Sequence, residues 1–178
     1  MNVPGTASVL GALNPMTLNT TFEMSRKFLP ISIDITDQKI LVLGGDESAL
    51  KKIKILQRFD AKIEVLSRKF IPEILQLDLP SYQKNYTPSD LEGYLMVYSC
   101  LNNDELDLLV VNDAKQAGVL VNIHDKPALC QFISPAVYQH NNITVAVASN
   151  GENVFSSIKL RNYLQQHLNE NIQNIIDL

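Results

Sequence analysis

Five residues, KILVL at 39–43, run straight into Gly44-Gly45, and a helical pattern starts directly behind the glycines. A continuous apolar run of this length, stopped by glycine, reads as a strand buried on both faces, as in a parallel sheet. Residues 46–58 then read as a helix. Ala49, Ile53 and Leu56 share one face, and Lys51, Lys52 and Lys54 lie around the others. The alternation continues with a strand at 61–66, a short helix at 70–76 opened by Pro72, and a weaker strand at 82–86. A fourth strand is expected at 93–99. A helix follows over 104–117, with Leu106, Leu109, Val110, Ala114 and Ala117 facing inward and Gly118 as its cap. Residues 119–123 (VLVNI) make a fifth strand. This rhythm with short connections predicts an α/β, Rossmann-like, doubly wound parallel sheet.

After Pro127 the rhythm changes. Segments 132–139 and 142–148 read as adjacent strands joined at His140-Asn141, and 154–168 as a helix with Leu160, Leu164 and Leu168 at fourfold spacing. Ile172, Ile175 and Ile176 carry the apolar pattern on. Such a stripe suits packing within the chain or at a subunit interface equally well. Residues 1–25 are rich in Thr, Asn, Pro and Gly without a steady period and read as a poorly ordered extension. The expected division is an extension over 1–27, a Rossmann-like domain over 28–127, and a strand-pair and helix region over 128–178.

Composition narrows the function classes. With 178 residues, 46% hydrophobic and 19% charged, the chain suits about one folded domain and is not mostly disordered. Fifteen Lys and Arg against nineteen Asp and Glu give −4, which argues against nucleic acid as a partner. No apolar run reaches the roughly 18 residues of a membrane span, and no signal-peptide pattern opens the chain. Cys100 and Cys130 lack zinc spacing and read as buried free thiols, so no metal site is expected and the compartment is reducing, hence cytoplasmic.

Strand, Gly44-Gly45, then helix is the layout of a phosphate-binding turn, in which a helix N-terminus offers free N–H groups to a pyrophosphate. In the pattern G-x-G-x-x-G/A, Gly44 and Ala49 fill the outer positions, and Asp46 replaces the middle glycine. Asp46 is equally a good helix N-cap, so the same residues also read as a capped structural turn. The acid that meets the ribose of NAD, about 20 residues on, has no counterpart at the tip of the second strand. That tip reads Leu66-Ser67-Arg68-Lys69, and Glu64 lies within the strand, facing elsewhere.

Several segments in order carry a resemblance: Leu29-Pro30-Ile31, KILVLGGDESALKKIKIL at 39–56, VNIHDKPALCQFISPAV at 121–137 and ITVAVASNG at 143–151. Over roughly 28–168 the chain resembles the precorrin-2 dehydrogenase/sirohydrochlorin ferrochelatase family, the NAD-binding module of siroheme synthase. The resemblance implies a Rossmann domain that binds NAD, a dimerisation region and hence a homodimer, and a carboxylate-rich tetrapyrrole substrate. It implies oxidation of precorrin-2 to sirohydrochlorin by NAD⁺, with ferrous iron insertion by the same cleft in some members.

By motif, Asp125 is the implied acid/base. Gly44, Gly45, Glu47, Ser48, Arg68, Lys69 and Asn102 are the implied cofactor contacts, and His124 and Ser149 lie at the substrate cleft. The same residues also have plain structural readings: Asp125 as a turn residue before Lys126-Pro127, Ser149 as a helix cap, His124 as a loop residue. Lys126, Lys159 and Arg161 are candidates for a basic mouth. The chain departs from the family pattern at Asp46, at Leu101 and at Asn150, and it lacks most of the family's helical tail. These departures motivate the rival expectation, a chelatase-only or non-catalytic relative that binds a tetrapyrrole or nucleotide without hydride transfer.

Overall fold

The computed structural model describes residues 26–176. The expected extension over 1–25 and the side chains of Ile175 and Ile176 lie outside the described residues. Five strands form one parallel sheet: Lys39–Leu43 (β1), Lys62–Ser67 (β2), Ser81–Gln83 (β3), Tyr94–Ser99 (β4) and Leu120–Ile123 (β5), in the order β3-β2-β1-β4-β5. The order reverses between β1 and β4. That is the switch point where open α/β sheets leave a crevice at the carboxyl ends of their strands. The α/β, Rossmann-like expectation is therefore met.

Burial explains why the strands are apolar throughout. β1 and β2 are exposed only at Lys39 and Lys62, since helices cover both faces of the sheet. On one face Ile40, Val42, Val65 and Met96 pack with Ala49, Leu50 and Ile53 of helix Glu47–Gln57 (α1) and with Ile74 of the short helix Pro72–Leu75 (α2). On the other face Leu41, Leu43, Val97 and Val121 pack with Val110, Val111 and Ala114 of helix Asp104–Ala117 (α3). Gly118 ends α3 in the left-handed region at φ 70°, as expected of a glycine cap.

The inward face of α3 differs from the expected one. Leu109 is 43% exposed and Ala117 is also at the surface, whereas Asp107 and Val111 are buried. The helix is rotated toward the residue that pairs with the sheet. Asp107 accepts from the Ser99 hydroxyl at 2.8 Å and from Lys126 Nζ at 2.6 Å. A buried carboxylate with two donors outweighs one apolar contact.

Beyond the sheet, Ala136–His140 (β6) and Ile143–Val147 (β7) form the expected antiparallel pair, with Asn141 at φ 51° in the turn. β6 starts later than expected because the segment from Phe132 to Pro135 is irregular. The last helix, Val154–Ile176 (α4), packs on β6 and β7 and runs beyond the expected end at residue 168. Among the described residues, no helix is long and apolar enough to cross a membrane.

Candidate active site

The carboxyl edge of the sheet is held by backbone bonds that continue the pairing past the strand ends. Gly44 N–H donates to Leu66 O, Cys100 N–H to Leu43 O, and His124 N–H to Ser99 O, at 2.7–2.9 Å. The glycine turn after β1, the loop after β4 and the loop after β5 therefore share one edge. Glycine is required at the turn for two reasons. Gly44 has φ 133°, and a Cβ on Gly45 would lie 1.9 Å from the Lys69 carbonyl oxygen.

Asp46 is the N-cap of α1. Its Oδ1 accepts from Ser48 N–H at 3.0 Å and Ala49 N–H at 3.1 Å, and its Oδ2 accepts from Asn102 Nδ2 at 2.9 Å. The acid in place of glycine is thus held by an amide from the loop after β4, one of the implied cofactor contacts. Glu47 and Ser48 open α1 beside it, and Arg68 and Lys69 are exposed where β2 ends. Topology, a glycine crossing free of Cβ atoms and a helix N-terminus at the switch point fit a dinucleotide here. Gly44, Gly45, Glu47, Ser48, Arg68, Lys69 and Asn102 are the residues that would hold it.

Glu64 faces away from this edge. Burial pushes its carboxyl up, but hydrogen bonds from Lys39, Tyr94 and Tyr82 together outweigh that and hold it below the usual range. It is a structural link among strands and takes no part in the turn.

Asp125 sits just past β5 at φ 56°. Its side chain is 85% exposed, and its Oδ2 lies 3.3 Å from His124 Nε2. The loop beneath it is tightly tied. Cys130 Sγ accepts from Ile123 N–H at 3.2 Å, Gln131 N–H donates to Val121 O, and Asn122 Nδ2 donates to Phe132 O. Lys126 is clamped to Asp104 at 2.5 Å and Asp107 at 2.6 Å on α3. The acid therefore projects from a fixed base. Burial pushes the Cys100 thiol up to about 12 and raises that of Cys130 as well, so neither is a nucleophile near neutral pH.

His124 and Asp125 line a cleft of about 460 Å³ between α1 and α4, together with Ser149. Ser149 Oγ accepts from Asn153 N–H and from the Ser157 hydroxyl, whereas the cap of α4 is Asn153, whose Oδ1 accepts from Ser156 N–H at 2.9 Å. The expected basic mouth is only partly formed. Arg161 lines the cleft, Lys159 does not, and the charge of Lys126 is committed to two aspartates. The cations that take their place are Lys52 and Arg58 on the α1 side. Lys52 lies off the Ala49–Ile53–Leu56 face, and its Nζ lies 4.6 Å from the centre of the Tyr98 ring and donates to Ser134 Oγ at 3.0 Å. Spacing alone holds a trace of this: Lys52, Ile55 and Arg58 fall on one helical stripe.

The sequence-expected residues thus form two groups on one edge, the turn set and the cleft set. α1 spans both, since Lys52 lies five residues, about 8 Å, along the helix from Glu47.

Comparison with known proteins bears on the family and the fold. The NAD(P)-binding family model NAD_binding_7 matches residues 31–136. The siroheme synthase of Nitrosomonas europaea is 33% identical over 143 residues, which are 78% of this chain and 30% of that protein. The siroheme synthase of Chromobacterium violaceum is 32% identical over 129 residues, 70% of this chain and 27% of that protein. The chain thus spans less than a third of the length of these relatives. Among solved structures, SirC, a precorrin-2 dehydrogenase, superimposes with a TM-score of 0.62 at 18% identity, covering 79% of this chain and 71% of that one. The likeness at that identity is one of fold. The chain belongs to the NAD(P)-binding family whose model matches it, and this segment aligns with somewhat under a third of the siroheme synthases.

Proposed function

We propose that this chain is a cytoplasmic, NAD-dependent precorrin-2 dehydrogenase of siroheme biosynthesis, acting as a homodimer on a tetrapyrrole substrate. The observation that carries the reading is Asp125, an open carboxylate on a rigid loop, in a ligand-sized cleft at the same sheet edge as the glycine turn. Residues 28–127 are the cofactor-binding domain in this reading, and 128–178 the cleft and dimerisation region.

The bound nicotinamide would supply the hydride acceptor. Loss of hydride from the macrocycle requires loss of a proton, and Asp125 is placed to take it within the cleft. His124, 3.3 Å away, holds the carboxylate's orientation and offers a route for the proton outward. Ferrous iron, where it is inserted, is a second substrate of the same cleft. The carboxylate then serves to draw protons from the pyrrole nitrogens.

Asp46 favours a second reading, a chelatase without hydride transfer, because its carboxylate occupies N–H groups that a pyrophosphate would use. Two measurements decide. Asp125→Asn should lower precorrin-2 oxidation by about a hundredfold or more while leaving the melting temperature and NAD⁺ affinity unchanged. Undiminished turnover would remove Asp125 from the mechanism. Calorimetric titration of the wild type should show micromolar NAD⁺ binding. No binding at millimolar concentration would leave the chelatase reading.

A further inference from the structure

The second strand ends without the acid that a dinucleotide fold places there for the ribose of NAD. Its tip runs Ser67-Arg68-Lys69. Glu64, the carboxylate of that strand, stops three residues short and is bound to Lys39, Tyr82 and Tyr94. Arg68 and Lys69 are exposed. Among the described residues, neither has a carboxylate within 4.0 Å, whereas Lys39, Lys62, Lys84 and Lys126 are all paired. The tip is fixed against the glycine turn. Ile71 N–H donates to Gly45 O at 2.8 Å, and Ser67, itself buried, has its Oγ 2.9 Å from where a Cβ on Gly45 would lie. On its other side Lys84 N–H donates to Ser67 O at 3.1 Å, and Gln83 Nε2 to Arg68 O at 3.2 Å. Two cations without ion-pair partners thus stand on backbone anchored to both the cofactor turn and β3.

An acid at this place accepts from a ribose 2′-hydroxyl and repels a 2′-phosphate. With the acid missing and an Arg-Lys pair in its place, the balance reverses. A phosphate monoester carries about two negative charges near neutral pH, and a guanidinium meets it with two parallel N–H donors. Asp46 bears on the pyrophosphate, which both nicotinamide dinucleotides share, so its charge does not enter the comparison between them. We propose that Arg68 and Lys69 receive a 2′-phosphate, so that this chain binds NADP⁺ at least as tightly as NAD⁺. That a dinucleotide sits at the turn rests on the function proposed above, and the preference rests on the β2 tip. The nicotinamide is the same in both, so the hydride chemistry is unchanged.

The test is calorimetric titration of the full chain with NAD⁺ and NADP⁺, and with the fragments 5′-AMP and adenosine 2′,5′-bisphosphate. NADP⁺ should bind as tightly as NAD⁺ or more so, and the bisphosphate should bind more tightly than 5′-AMP. Added salt should weaken the 2′-phosphorylated member of each pair more. Arg68→Gln combined with Lys69→Gln should lower the ratio of NADP⁺ to NAD⁺ affinity by about tenfold or more, with the melting temperature as the check on folding. NAD⁺ binding tighter than NADP⁺ in the wild type, or a ratio that the double variant leaves unchanged, overturns the proposal and leaves the dinucleotide reading standing. Absence of binding by both dinucleotides at millimolar concentration overturns both. NADP⁺ binding that depends on Arg68 and Lys69, without oxidation of precorrin-2 by either dinucleotide, keeps the 2′-phosphate site and sinks the dehydrogenase reading.

Discussion

Asp46 stands where a dinucleotide turn ordinarily has glycine, and its carboxylate is fully engaged by Ser48 N–H, Ala49 N–H and the Asn102 amide. It stabilises α1 at the point where a pyrophosphate would want the same donors and no negative charge. Asp46→Gly should cost only a few tenths of a kcal/mol in stability, because glycine is itself a tolerable N-cap. It should tighten NAD⁺ binding by about two- to fivefold through removal of the charge at the helix end. Calorimetry on the two proteins checks this, and unchanged or weaker binding would mean the carboxylate is accommodated in the complex. The cap itself was legible from residue type and position. The bond from Asn102 was not, because 56 residues separate the partners and only the pairing of β1 with β4 brings them together.

Between elements, Glu64 shows how one polar residue on a buried strand is used. It sits on β2 and is held by Lys39 of β1, Tyr82 of β3 and Tyr94 of β4. Its folded-state acidity is depressed, so its link contributes stability above the carboxyl's unfolded titration, about pH 4.3, and loses it as pH falls through the folded value. Glu64→Gln should therefore be less stable than wild type near neutrality, with the difference closing below about pH 4. Urea midpoints measured from pH 7 down to pH 3 check this, and a gap that does not change with pH would assign the loss to packing alone. That Glu64 lies short of the cofactor edge follows from its place within β2, three residues before the strand's carboxyl end. The rotation of α3 that buries Asp107 and exposes Leu109 does not, since it depends on Ser99 and Lys126, which lie on other elements.

For the whole molecule, the strand pair and α4 are less well covered than the sheet. Phe155 is 80% exposed, Tyr163 59% and Val154 58%, and of the stripe expected on this helix Leu160, at 50%, joins them on the outward face of the single chain. In the proposed homodimer these four residues are the contact. Phe155→Asp combined with Tyr163→Asp should shift sedimentation velocity from dimer to monomer at micromolar concentration without loss of helix content. A wild type that sediments as a monomer at all concentrations, or a double variant that stays dimeric, would place the contact elsewhere. Leu164 and Leu168, by contrast, are partly buried, because the other side of α4 rests on β6 and β7.

By itself the sequence determined the order and type of nearly every element, the glycine turn and the αL cap at Gly118. Those properties follow from local patterns: apolar runs, helical spacing, and residues whose backbone freedom or capping chemistry acts within a few positions. Tertiary structure decided which cations face the cleft, withdrawing Lys126 into a clamp with Asp104 and Asp107 and bringing Lys52 onto Tyr98 and Ser134. Electrostatic partnership is a matter of distance in space. Residues tens of positions apart along the chain become neighbours only when the sheet order and helix packing put them within hydrogen-bonding reach.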